Sequence, residues 1–135
     1  MSCLWGKLAS EILMQRWDDA FNNLNRLREA IEKSYSRTPL DLLNQRTWII
    51  HWSLFVYFNH PKGREELIQL FLGHSGSSSN HINTYLNTLQ TTSPHLLRYL
   101  AAAVIISSKK TNDRNLKELI KVIQQVKYRS AIWNE

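Results

Sequence analysis

Between Trp48 and Phe58, nine of eleven residues are apolar, and only His51 and Ser53 interrupt them. A membrane span needs about 20 such residues, so this run belongs in a protein interior. Just upstream stands a helix start. Thr38 can cap, Pro39 suits the first helical position, and Asp41 sits where a capping-box acid reaches back. These signals predict one helix from Thr38 to about Phe58, ended by Asn59-His60-Pro61. A helix that is apolar on nearly every face needs cover on nearly every face. It is therefore expected at the centre of the core, with Trp48, Trp52 and Phe55 inside. Trp52→Ala would then cost about 3–5 kcal/mol, as a buried aromatic truncation does. His51 reads as a core histidine with one hydrogen bond.

The rest of the chain has to supply the covers, and it does so in helical period. Leu8 and Ile12, with Trp5, form a face between about Leu4 and Gln15. Trp17, Ala20, Phe21, Leu24, Leu27 and Ile31 step by three and four in a segment that reaches Lys33. Asp18 and Asp19 in its first turn and Lys33 in its last complement the helix dipole. After Pro61 a fourth segment runs to Leu72 with Leu67, Ile68 and Phe71 inward. Residues 73–80 hold no apolar side chain and are expected to form a flexible surface loop. Ile82, Tyr85, Leu86 and Leu89 make the fifth stripe. Leu97, Leu100, Ala101 and Val104 make the sixth, after a start at Ser93-Pro94. Ser107–Asp113 reads as a polar turn. The last segment, about Arg114 to Tyr128, should point Leu116, Leu119, Ile120 and Ile123 inward.

Composition agrees with helix. The chain has 19 Leu and 11 Ile against 4 Val, and only 3 Pro and 4 Gly in 135 residues. That balance favours helix over sheet. The expected fold class is all-α: about seven antiparallel helices in a single domain, residues 1–135, stacked as helical repeats of HEAT or TPR type. No repeat of fixed period is detectable. The opening residues lack the basic start and apolar run of a secretory signal.

Catalytic chemistry finds no support in the sequence. The chain has one cysteine, Cys3, which excludes a disulfide framework and a multi-cysteine zinc site. None of the five histidines, His51, His60, His74, His81 and His95, pairs with another ligand at metal spacing. His60 and His95 each neighbour a proline at a helix start, where capping explains them. Ser107-Ser108-Lys109-Lys110 has the Ser-x-x-Lys spacing of serine acyl-enzymes but not the companion motifs. Neither an enzyme nor a cofactor is expected. Net charge is +6, and most of it lies in the second half of the chain. There Lys110, Arg114, Lys117 and Lys121 fall within an arc of about 60° at helical spacing. This cationic strip is the candidate interaction surface, for an acidic protein or for the phosphates of RNA.

One stretch is distinctive as a string. Gln45-Arg46-Thr47-Trp48-Ile49-Ile50-His51-Trp52-Ser53-Leu54-Phe55, followed by Phe58-Asn59-His60-Pro61-Lys62-Gly63-Arg64, resembles the E-subunit family of eukaryotic translation initiation factor three. Four more blocks agree in order: Leu4–Glu11 with Leu13-Met14-Gln15, Leu24-Asn25-Arg26-Leu27, Pro94-His95-Leu96-Leu97-Arg98-Tyr99-Leu100, and Lys121-Val122-Ile123-Gln124-Gln125. Trp48, His51, Trp52, Asn59, His60, Pro61, Gly63, Arg64, His95, Arg98 and Tyr99 are the family-motif residues, read as structural.

The resemblance implies a PCI-family scaffold, non-catalytic and cytoplasmic. It also implies partners: the other subunits of that factor and, through the complex, the small ribosomal subunit. A direct RNA-binding module using the cationic strip is the alternative. The loop at 73–80 is longer than the family pattern. After Gln125 the family continues Tyr-Lys-Asp-Pro toward a winged helix that this sequence lacks. The 135 residues are thus expected to be an internal helical-repeat portion of a larger subunit. Trp5, Leu8, Ile132 and Trp133 would then be left as apolar patches at the two ends, with a tendency to self-associate.

Overall fold

The helix-favouring composition and three-four spacing produce helices throughout the computed structural model, which describes residues 2–34, 38–73, 84–107 and 112–133. Seven α-helices occur among the described residues, with no strand: α1 (Ser2–Leu13), α2 (Trp17–Glu32), α3 (Pro39–Asn59), α4 (Gly63–Leu72), α5 (Thr84–Thr92), α6 (Leu97–Ile106) and α7 (Asn112–Trp133). A 3-10 turn, Pro94–Leu96, leads into α6. Of the expected loop at 73–80 only Gly73 is described; residues 74–80, and with them Ile82, lie outside the described residues. So do Ser108, Lys109 and Lys110. The chain divides into two units, Met1–Gly63 and Arg64–Glu135.

In the first unit α2 packs against both α1 and α3. Its stripe Ala20, Leu24, Leu27 and Ile31 is fully enclosed, and it meets Leu8 and Ile12 of α1 and Ile49, Ile50, Val56 and Tyr57 of α3 in the core. The reversal from α1 to α2 takes only Met14, Gln15 and Arg16, so α1 ends two residues before the sequence suggested. Gln15 adopts the left-handed conformation with φ 58°. The Arg16 N–H donates to Glu11 O (3.0 Å) and the Gln15 N–H to Ile12 O (3.1 Å). This is the Schellman pattern, with glutamine in the place that glycine occupies most cheaply.

Helix α3 begins as its cap predicts. Thr38 Oγ1 accepts from the Asp41 N–H (3.2 Å) and donates to Asp41 Oδ2 (2.8 Å). Its orientation corrects the expectation of all-round burial. The enclosed side is Ile49, Ile50, Ser53, Val56 and Tyr57. Trp48 is 60% and Phe55 55% exposed, and Trp52 is half-buried. His51 is also half-buried rather than a core residue, its Nδ1 bonded to Thr47 O at 2.7 Å. With apolar residues all around α3, periodicity could not set the phase of the helix. The phase follows from what packs there: α2 covers a single side.

The second unit encloses Leu67, Ile68, Phe71 and Leu72 of α4, Tyr85 and Leu89 of α5, and Leu96, Leu100, Ala103 and Val104. The buried line therefore runs from Leu96, just before α6, through Leu100, Ala103 and Val104, while Leu97 and Ala101 of the expected stripe are only half covered. Helix α6 packs on α7. Helix α7 starts at Asn112 and reaches Trp133, longer at both ends than expected. Among its described side chains only Leu119 and Val122 are buried, whereas Leu116, Ile120 and Ile123 stay open. At the N-terminal end, Leu8 is buried, not a patch, and Trp5 donates from Nε1 to Gln45 Oε1 at 3.1 Å. Ile132 is exposed.

Candidate interaction surfaces

Of the distinctive motif, Gln45–Phe55 lie along α3, and Asn59–Gly63 form the corner that ends it. Asn59 folds back to donate from Nδ2 to Phe55 O (2.6 Å), a second donor on a carbonyl of the last helical turn. His60 does more than cap. Its ring stacks on Phe21 of α2 with centroids 4.4 Å apart, and its side chain is only 10% exposed. Nδ1 accepts the Lys62 N–H at 3.1 Å, which leaves Nε2 to face Asp18 Oδ1 at 2.9 Å. Asp18 stands in the first turn of α2, so one imidazole ties the end of α3 to the start of α2. Pro61 is exposed, Gly63 is enclosed, and Arg64 is exposed. At this corner Pro61 blocks helix continuation.

The second motif group, His95, Arg98 and Tyr99, belongs to the other unit. His95 and Arg98 are exposed and Tyr99 is 41% exposed. Of the cationic strip, Arg114, Lys117 and Lys121 project from α7 into solvent, and Lys121 Nζ lies 3.4 Å from Glu118 Oε1. Lys110 is outside the described residues. The exposed side of α3 adds Trp48 and Phe55, with Trp52 between them and its ring 6.0 Å from that of Phe55.

One feature went unread in the sequence. Between α1 and α2 opens a polar cleft of about 370 Å³ lined by Lys7, Glu11, Arg16, Asp19, Asn22, Asn23 and Arg26. Glu11 is 8% exposed, and both its oxygens accept from Asn23 Nδ2, at 2.6 and 2.5 Å. Arg16 pairs with Asp19 at 3.0 Å. The available signal was Glu11 beside the inward-facing Leu8 and Ile12, opposite Asn23 beside the inward-facing Leu24. A polar residue inside each of two neighbouring apolar stripes suggests that the two satisfy each other. The Asp18–His60 bond, by contrast, had no sequence signal, because its partners are 42 residues apart.

Among the described residues no group of three or more His, Cys, Asp or Glu side chains could hold a metal ion. No helix there is long and apolar enough to cross a membrane. Cys3 is exposed.

No family model matches this chain. Curated sequences do. The chain is 50% identical over 131 residues to the E subunit of eukaryotic translation initiation factor 3 from Bombyx mori, covering 95% of this chain and 27% of that protein. The E subunit of Arabidopsis thaliana is 48% identical over 128 residues, with 95% and 26% covered. That of Anopheles gambiae is 50% identical over 128 residues, with 95% and 27% covered. The chain thus spans about a quarter of the length of the curated relatives it matches.

Proposed function

Since the chain is a homologue of the E subunit of eukaryotic translation initiation factor 3 over 95% of its length, we propose that it serves as a non-catalytic scaffold segment of that factor. In this reading it holds other subunits through protein–protein contacts and, within the complex, supports binding of the small ribosomal subunit in the cytoplasm. The family's PCI architecture is part of the same proposal. The observation that carries it is the homology. The surface supports it too. Large apolar side chains stand exposed on α3 (Trp48, Phe55) and on α7 (Leu116, Ile120, Ile123), and Trp is enriched where proteins anchor one another.

The test is to express the tagged chain in a eukaryotic cell and identify what co-purifies by mass spectrometry. Enrichment of initiation-factor subunits over an unrelated helical control is expected. An eluate without them would overturn the scaffold reading. The alternative, direct RNA binding by Arg114, Lys117 and Lys121, rests on their exposure. It requires affinity that collapses steeply, by about 10³-fold for many phosphate contacts, between about 50 and 200 mM salt.

A further inference from the structure

Helix α7 carries three parallel stripes, and among the described residues only one of them is buried. Taking 100° per residue, the buried Leu119 and Val122 lie on one side. Next to them Leu116, Ile120 and Ile123 follow at i, i+4 and i+7, and they are 42%, 46% and 40% exposed. Beyond these, along the far edge, run Lys117, Lys121 and Arg114, all exposed. The helix as a whole carries five Lys and Arg against two acids. An aliphatic strip bordered on its open edge by cations is a complementary surface for one kind of occupant.

We propose that this face of α7 docks an amphipathic helix of a protein partner, whose apolar seam covers Leu116, Ile120 and Ile123 and whose acidic edge faces Lys117, Lys121 and Arg114. The proposal rests on the scaffold reading and names the chemistry of one contact in it. Charge complementarity selects the occupant. RNA would use the cations and could stack on the exposed Tyr128 of the same edge, but it would leave the aliphatic strip uncovered. A second copy in antiparallel register would set cationic edge against cationic edge. The geometry is that of a helix laid along i, i+3/i+4, i+7 anchors, with edge charges deciding the partner as they do in coiled coils.

The probes are two synthetic helical peptides of about three heptads, with Leu at the seam positions and either Glu or Lys at both edges. Their binding to the labelled full chain is followed by fluorescence anisotropy. The Glu-edged peptide should bind at least ~10-fold more tightly than the Lys-edged one, and this preference should shrink with salt. Lys117→Glu with Lys121→Glu should invert the preference, and Ile120→Ser with Ile123→Ser should abolish binding of both peptides. Circular dichroism should stay unchanged in each variant, because every altered side chain is solvent-facing. Equal binding of both peptides, no binding of either, or self-association of the chain through the strip would overturn the proposal. A single-stranded RNA oligonucleotide whose binding survives the Ile120/Ile123 change would overturn it as well. Peptide binding that succeeds while initiation-factor subunits fail to co-purify would instead overturn the scaffold reading.

Discussion

Replacing Gly63 by alanine should cost the protein about 2 kcal/mol, whereas the same replacement at Gly6 should stabilise it. Neither glycine has a positive φ, so the difference is one of space. A Cβ added at Gly63 would press on the backbone carbonyl oxygen of Tyr57 and lie 2.5 Å from that residue's Cα and carbonyl carbon. Ordinary carbon contacts are about 3.5–4.0 Å, so the overlap is about 1 Å or more. The neighbour is helix backbone and cannot swing aside. Relief means shifting Gly63 away from the last turns of α3, at the usual overpacking cost of about 1–3 kcal/mol. The shift also endangers the Gly63 N–H···O His60 bond, now 3.0 Å, which is worth about 1 kcal/mol net. Against this, alanine restricts the unfolded chain and recovers about 0.4–1 kcal/mol. At Gly6 nothing lies within 4 Å, and Gly→Ala within a helix should gain about 0.5–1 kcal/mol. For a chain of this length, with an unfolding entropy of roughly 0.28 kcal/mol/K, the expected shifts are about −7 °C and about +2 to +4 °C in Tm. Thermal and urea melts of the two variants beside the parent decide it. A Gly63→Ala protein as stable as the parent would refute the close-approach argument and the placement of Gly63 against Tyr57.

Two more substitutions test the orientation of α3, and a third the α1–α2 turn. Tyr57→Ala, at a side chain 1% exposed, should cost about 3–5 kcal/mol in a urea melt. Trp48→Ala, 60% exposed, should cost less than about 1 kcal/mol, and similar losses from both would mean that the buried side of α3 is misassigned. Gln15→Gly relieves a left-handed residue and should raise stability by about 0.5–1 kcal/mol. A destabilised Gln15→Gly protein would show that the glutamine side chain has a role beyond the turn.

Sequence alone determined the elements. Apolar residues at steps of three and four, few glycines and prolines, and a complete Thr38-Pro39-Asp41 start are local signals that act within a turn or two of helix. That is why α2 and the start of α3 stand where periodicity put them. The corner after α3 was legible as the string from Asn59 to Arg64. Its mechanism was not, because the ring of His60 is held by Phe21 and Asp18 far away in the chain. Tertiary structure decided which face of each helix is covered. In α2 polar residues occupy the outer side, so the stripe could point only one way. In α3 nearly every position is apolar, and in α7 the apolar stripe is wider than the side that α6 packs on. There the sequence permits several phases, and burial is set by the shape and number of helices alongside. Trp48, Phe55, Leu116, Ile120 and Ile123 therefore remain at the surface although hydropathy alone would place them inside.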